Sequence, residues 1–266
     1  MALPLDLVLV RHGQSEGNAA NRLSEKGDHS AYTSGFRDRH SSSFRLTDKG
    51  RLQATRAGLW IREEFPDFDR YFVSEYLRAM ETAAILALPH AKWLSDFYLT
   101  ERDWGALDAR PESERLEQFG NELRLRDVEP FFWRPPNGES FAELCLRVDR
   151  VLNTLHRECG DKRVIIVCHG EVMRAFQVRI ERMSQIRFRE LISSDLSENR
   201  IYNCEIIHYS RRANGVGKLF PFMECVRKIR PTEEPAWTTG WRPIERIRYS
   251  NEDLLAIVSQ TPAILK

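Results

Sequence analysis

The stretch "LVLVRHGQSEGN", Leu7 to Asn18, decides how this chain is read. Leu7 to Val10 is apolar without a break and partly β-branched. That suits a central strand covered on both faces. Arg11, His12 and Gly13 follow at once, and small and polar residues come after them. A charged turn that merely stops a strand would explain this. So would an anion site in which Gly13 lets the backbone approach closely. The stretch does not separate the two readings; the rest of the chain must.

Further strands are expected at Arg70–Ser74, Arg163–Cys168 and Cys204–Tyr209, with the first at Leu5–Val10. Helical patterns lie between them. "LTDKGRLQATRAGLWIREEF" offers Thr47 as an N-cap, with Leu52, Ala57, Leu59, Trp60 and Ile61 on roughly helical spacing. "EYLRAMETAAILAL" reads as a helix after Ser74, with Met80 and Ala84 toward the core. "GESFAELCLRVDRVLNTLHREC" puts Phe141, Leu144, Val148, Val151, Leu152 and Leu155 on one face. "GEVMRAFQVRIERM" opens a helix directly after "VIIVCH". Strands alternating with helices predict an α/β fold, a three-layer sandwich with a mainly parallel sheet flanked by helices.

Two segments depart from that alternation. Residues 24–45 are polar, charged and serine-rich, a lid or surface loop. Residues 211–266 follow the last expected strand and carry Pro221, Pro231, Pro235 and Pro243, tryptophans and a helix-like "NEDLLAIVSQ". They read as a C-terminal extension packed on the same domain, which itself spans 1–210.

Bulk properties narrow the function classes. Lys and Arg number 40 against 39 Asp and Glu, a net charge of +1 over 266 residues. A nucleic-acid partner would need a concentrated basic face, and none stands out. The five cysteines are odd in number, widely spaced and without a CxxC pair, which suits buried thiols in a reducing compartment. No signal-like start and no span-length apolar run is seen, so a soluble, cytoplasmic protein without membrane partners is expected. Oligomeric state is not legible.

Parallel strands build sites at their carboxyl ends. Three ends here carry unusual chemistry: Arg11-His12-Gly13, Ser74 with Arg78 one turn later, and His169-Gly170. On one sheet edge they would present two imidazoles, two guanidiniums and two helix N-termini. Helix N-termini and guanidinium forks both favour a tetrahedral oxyanion, so the expected ligand is a phosphoryl group. His12 can act as nucleophile. Arg11, Arg78 and His169 can hold the equatorial oxygens. Glu101 in "LTERDWG", beside Trp104, can give the leaving oxygen a proton if its surroundings raise its pKa. His156 and His208 lie inside a helix and a strand and read as structural; His29 and His40 fall in the polar insertion.

These residues resemble the histidine phosphatase superfamily, in the branch that includes cofactor-dependent phosphoglycerate mutases. The resemblance rests on "LVRHGQSEGN", "SEYLRAMETA", "LTERDWG" and "VCHG", in the expected order, with "RPPNGESFAELCLRV" and "LTDKGRLQA" beside them. It implies that His12 is phosphorylated, with Arg11, Arg78, His169 and Gly170 around the phosphoryl group and Asn18 in contact with it. It implies Glu101 as proton donor and then base, no metal and no cofactor, and a small phosphorylated substrate. Mutases have Asn where this chain has Glu171, and Tyr where it has Trp104; Arg124 and Arg126 only loosely match their arginine pair. The expectation is a metal-independent phosphatase working through phosphohistidine. A phosphoglycerate mutase is the alternative, and a pseudophosphatase that binds a partner is the third reading. The cations Arg22, Lys26, Arg37, Arg39 and Arg45 of the insertion region have two equal readings: they meet extra negative charge on the substrate, independently of the phosphoryl pocket, or they sit in a solvated loop balanced by Glu25, Asp28 and Asp38.

Overall fold

Leu7 and Leu9 face one hydrophobic core and Val8 and Val10 face another. The strict alternation of one strand therefore sets two helix layers with a sheet between them. The computed structural model describes residues 2–265. The chain runs β1 (Asp6–Arg11), α1 (Glu16–Ser24), α2 (Ser34–Arg37), α3 (Asp48–Glu64), β2 (Arg70–Ser74) and α4 (Leu77–Ile85). It continues through β3 (Trp93–Asp96), α5 (Glu112–Val128), α6 (Phe141–Glu158), β4 (Arg163–Cys168) and α7 (Gly170–Glu181). It ends with α8 (Gln185–Ser193), β5 (Ile206–Ser210), β6 (Cys225–Arg230), β7 (Trp237–Thr238), β8 (Arg242–Pro243) and α9 (Asn251–Ser259).

The sheet order is β3-β2-β4-β1-β5-β6-β7, with β8 also on β6. The first four strands in that order are mutually parallel. From β5 onward every pairing is antiparallel. Helices α6 and α7 cover the Leu7 face through Phe141, Leu144, Val148, Val172 and Phe176. Helices α3 and α4 cover the Val8 face through Ala54, Ala57, Ile61, Ala79 and Ala83. The α/β sandwich with a mainly parallel central sheet is the fold expected from the sequence.

Several residue-level readings are corrected. In α4 the buried positions are Arg78, Ala79, Thr82 and Ala83, not Met80 and Ala84. In α3, Leu52 and Leu59 are exposed, and Ala54 and Gly58 take the inner face. Small residues are needed there because α3 packs close: a Cβ on Gly58 would lie 2.4 Å from the Leu86 carbonyl. The last core strand starts at Ile206, because Cys204 is held at φ 58° in a turn. Helix α5 buries none of its residues and lacks a strong apolar stripe. Periodicity therefore gave no sign of it.

The region after residue 210 adds β6, β7 and β8 to the sheet. It is pinned by Arg230, which lies 3.8 Å from the Trp237 ring centre and 3.1 Å from Glu205. His208 is held between Asp6 (3.1 Å) and Arg227 (3.2 Å), a structural role. All residues of α9 are exposed. The five cysteines are buried free thiols. Among the described residues no helix is long and apolar enough to cross a membrane.

Candidate active site

Register fixes where the chemistry falls. Arg11 pairs with Cys168, and Val73 pairs with Val167, so the carboxyl ends of β1, β2 and β4 are level. The turn after β1 is tight. A Cβ on Gly13 would sit 2.4 Å from the Gly50 carbonyl oxygen, and one on Gly50 would sit 2.1 Å from that of Gln14. Gly13 is thus demanded by backbone packing against the start of α3 rather than by approach to an anion. That contact, with Gly13 N–H donating to Thr82 Oγ1 at 3.0 Å, holds His12 in place.

Hydrogen bonds orient the two imidazoles. Nδ1–H of His12 donates to the Gly13 carbonyl at 2.7 Å. Its Nε2 accepts from Arg78 Nε–H at 3.2 Å. His169 packs edge-on against it, ring centres 5.1 Å apart. Ser74 Oγ accepts from Tyr76 N–H at 3.3 Å and is hydrogen-bonded to His169 Nε2 at 2.7 Å. His169 Nδ1 is buried with no protein partner. Burial, reinforced by Arg78 and Arg11, holds both imidazoles well below the usual histidine range. Both are therefore neutral near neutral pH.

The guanidiniums are tethered. Arg78 Nη1 donates to the Ser41 carbonyl at 2.6 Å and Arg11 Nη1 to that of Ile201 at 2.6 Å. Nε of Arg11 is buried without a partner. Asn18 Oδ1 accepts from Ser15 N–H and from Asn203 Nδ2, which turns its own amide N–H group to the cleft. Glu101 is half-buried, and its Oε1 accepts from Arg102 N–H at 3.0 Å. Burial first, then the Glu171 carboxylate, raises its pKa; Arg78 and Arg11 oppose the shift. Arg11, His12, Asn18, Arg78, Glu101 and Gly170 all line one cleft of ≈ 640 Å³. His169 lies against its floor. Every residue singled out from the sequence for this site is therefore brought together. Among the described residues no group of three or more His, Cys, Asp or Glu side chains is placed to hold a metal ion.

Other parts were missed. Asn203 donates to the His12 carbonyl at 3.1 Å. It arrives because β5 runs antiparallel and so begins at the edge where β1 ends. Ser41, Arg102, Arg115 and Arg174 line the cleft, and the sequence reading gave none of them a role. The insertion's arginines are balanced within the protein, as one of the two readings had it, though by other carboxylates than Glu25, Asp28 and Asp38. Arg37 pairs with Glu114, Arg39 with Glu16 and Arg45 with Glu81. None of Arg22, Lys26, Arg37, Arg39 and Arg45 lines the cleft. Local carboxylates capture the three paired arginines, while Ser41 and Phe44 form the actual wall. The insertion is not independent of the phosphoryl pocket either, because Ser41 braces Arg78. His29 joins Ser24 to Ser113, and His40 bonds Ser42.

A fold of this kind with paired imidazoles at the strand ends has known counterparts. Residues 7–206 match the family model of the histidine phosphatase superfamily, branch 1, and the chain belongs to that family. It is 30% identical over 197 residues to a 2,3-bisphosphoglycerate-dependent phosphoglycerate mutase of Methylobacterium radiotolerans, covering 70% of this chain and 83% of that one. Among solved structures it resembles a putative alpha-ribazole-5'-P phosphatase from Escherichia coli, with TM-score 0.60 and 18% identity over 83% and 96% of the two chains. It also resembles mycobacterial glucosyl-3-phosphoglycerate phosphatase in complex with VO3, with TM-score 0.61 and 20% identity over 77% and 92%.

Proposed function

We propose that the protein is a metal-independent phosphomonoesterase that hydrolyses a small phosphorylated substrate through a phosphohistidine. The observation that carries this reading is the neutral, buried His12 on a cleft that Arg11 and Arg78 also line, with its Nε2 unprotonated and held by Arg78 Nε–H. In the first step Nε2 attacks phosphorus in line with the ester oxygen. Arg11, Arg78, His169 and the Asn18 amide take the equatorial oxygens, and such preformed donors are the main source of rate in phosphoryl transfer. Protonated Glu101 gives its proton to the leaving oxygen as the P–O bond breaks. In the second step Glu101, now carboxylate, takes a proton from water as that water attacks the phosphohistidine. Phosphate leaves, and His12 and Glu101 return to their starting states.

A phosphoglycerate mutase is the second reading. Its support is the mutase similarity together with Arg115, Arg124 and Arg126 on the cleft wall. Against it stand Glu25, Asp108, Glu112, Asp127 and Glu171 on the same wall. They would repel the carboxylate of a phosphoglycerate. A partner-binding pseudophosphatase is disfavoured by the complete set of reacting groups.

The test is a panel of phosphomonoesters with chelator present, including 3-phosphoglycerate with 2,3-bisphosphoglycerate. Phosphate release with chelator present supports the phosphatase; isomerisation without net release supports the mutase instead. The His12→Ala variant is expected to lose both turnover and acid-labile labelling by a phosphoryl donor. The loss should exceed the roughly 10²–10⁴-fold that general acid–base catalysis alone supplies. Acid-labile label persisting in His12→Ala would overturn the nucleophile assignment.

A further inference from the structure

Glu171 takes no part in the steps above, yet it stands beside their proton donor. It is the second residue of α7, one position past Gly170, and lines the same cleft as Glu101. Its Oε2 lies 3.6 Å from Nη1 of Arg102. Arg102 is the residue whose backbone N–H donates to Glu101. Its side chain is fixed at its other nitrogens too: Nε donates to the Glu139 carbonyl at 2.9 Å and Nη2 to that of Trp133 at 3.2 Å. Its guanidinium also lies 4.8 Å from the Trp104 ring centre. Arg102 cannot swing away, so a buried positive charge is locked next to the proton donor. Left alone, that charge would favour the carboxylate form of Glu101 and spoil it as an acid.

We propose that Glu171 is a positioning residue for Glu101, which neutralises Arg102 across the cleft and keeps the neighbouring carboxyl protonated until a leaving oxygen arrives. This rests on the reading of Glu101 as proton donor. The groups around Glu101 support it. Arg11 from β1, Arg78 from α4 and Arg102 from its own loop all favour the carboxylate. Tyr76 and Cys168 are held neutral by burial, as are His12 and His169. The Glu171 carboxylate acts the other way. Its side chain is partly exposed, so an isosteric change there leaves both hydrophobic cores intact.

The experiment compares Glu171→Gln and Glu171→Asp in the full-length protein. Profiles of kcat/KM against pH are measured with glycerol phosphate, whose leaving group needs a proton, and with p-nitrophenyl phosphate, whose leaving group is stable as an anion. In Glu171→Gln the anion is lost and Arg102 is freed, and both changes favour the Glu101 carboxylate. Activity on glycerol phosphate should therefore begin to fall at lower pH than in the parent protein. Above neutrality it should be about tenfold weaker, within the roughly 10²–10⁴-fold a general acid supplies, while p-nitrophenyl phosphate changes about twofold or less. Glu171→Asp should restore most of the difference. An unmoved glycerol phosphate profile overturns the proposal, and so do equal losses on both substrates. The reading it rests on fails separately, through a Glu101→Gln variant that slows both substrates alike.

Discussion

The floor and the wall of the cleft are built from different kinds of structure. The floor is made of strand ends: His12 and Arg78 are 1% and 6% exposed, and His169 is fully buried. Almost every polar atom there is tethered to a carbonyl, a hydroxyl or another side chain. The wall is largely α5, which buries none of its residues, departs from helical geometry at Phe119, and lines the cleft with residues such as Arg115, Leu116 and Arg124. It is tied to the insertion by Arg37–Glu114 and by Ser24 Oγ accepting from Glu112 N–H at 2.8 Å. The contrast separates two jobs. Groups that move protons and charge need positions set to a fraction of an ångström, and the sheet supplies them. Groups that choose among phosphorylated substrates need only line a space, and an exposed helix can change without disturbing the core.

If that separation holds, the most damaging change is one that moves the floor without touching a reacting atom. Gly50→Ala is such a change. Its Cβ would meet the Gln14 carbonyl oxygen at 2.1 Å, backbone against backbone, with no flexible side chain to yield. The expected cost is about 3 kcal/mol or more, at or beyond the upper end of ordinary overpacking. Thermal or urea unfolding would measure it. A stability loss under about 0.5 kcal/mol, the level of a neutral surface change, would mean that α3 can slide away and that the floor is softer than described.

A smaller effect is expected at Ser74, which is fully buried and hydrogen-bonded to His169 Nε2 at 2.7 Å. In Ser74→Ala the ring loses the bond that orients it, so the phosphoryl group loses a positioned partner. Loss of a single preorganised donor of this kind costs roughly 10²-fold in kcat. The fall should appear equally with alkyl and aryl phosphates, since His169 serves the phosphoryl group and not the leaving group. A loss confined to alkyl phosphates would instead place His169 in proton transfer.

The same contrast explains what could be read from the sequence. Val8 to His12, Arg78 and His169-Gly170 were legible because a buried strand followed by a charged residue is a rare combination with a physical reason. Glu101 was legible through its motif, although nothing about a carboxylate in a loop announces its partial burial. Asn203 was not, since it depends on an antiparallel strand returning to an edge that parallel strands define. Arg102 and Ser41 were not, because one acts through its backbone and a remote carboxylate, and the other through a carbonyl that any residue would possess. The role of the insertion stayed open in the sequence for a related reason. Its arginines are visible as charges, but their partners Glu81 and Glu114 lie far away in sequence. Helix α5 left no apolar period because it faces water on one side and the cleft on the other.

The smallest expected effect lies on the wall. Leu116 is 57% exposed and lines the cleft from α5. Replacing it by alanine removes no core contact, so stability should stay within about 0.5 kcal/mol. A substrate with a large apolar body would cover this side chain on binding. Losing up to about 1–2 kcal/mol of apolar contact should then raise KM by roughly 5–30-fold. Such contact acts on ground state and transition state alike, so kcat should be unchanged. Naphthyl phosphate provides the apolar body, and glycerol phosphate, too small to reach from the floor to Leu116, provides the control. A rise in KM for naphthyl phosphate alone would assign substrate choice to the wall. A fall in kcat for both would show that α5 also positions the floor, and the two regions would then have to be treated as one machine.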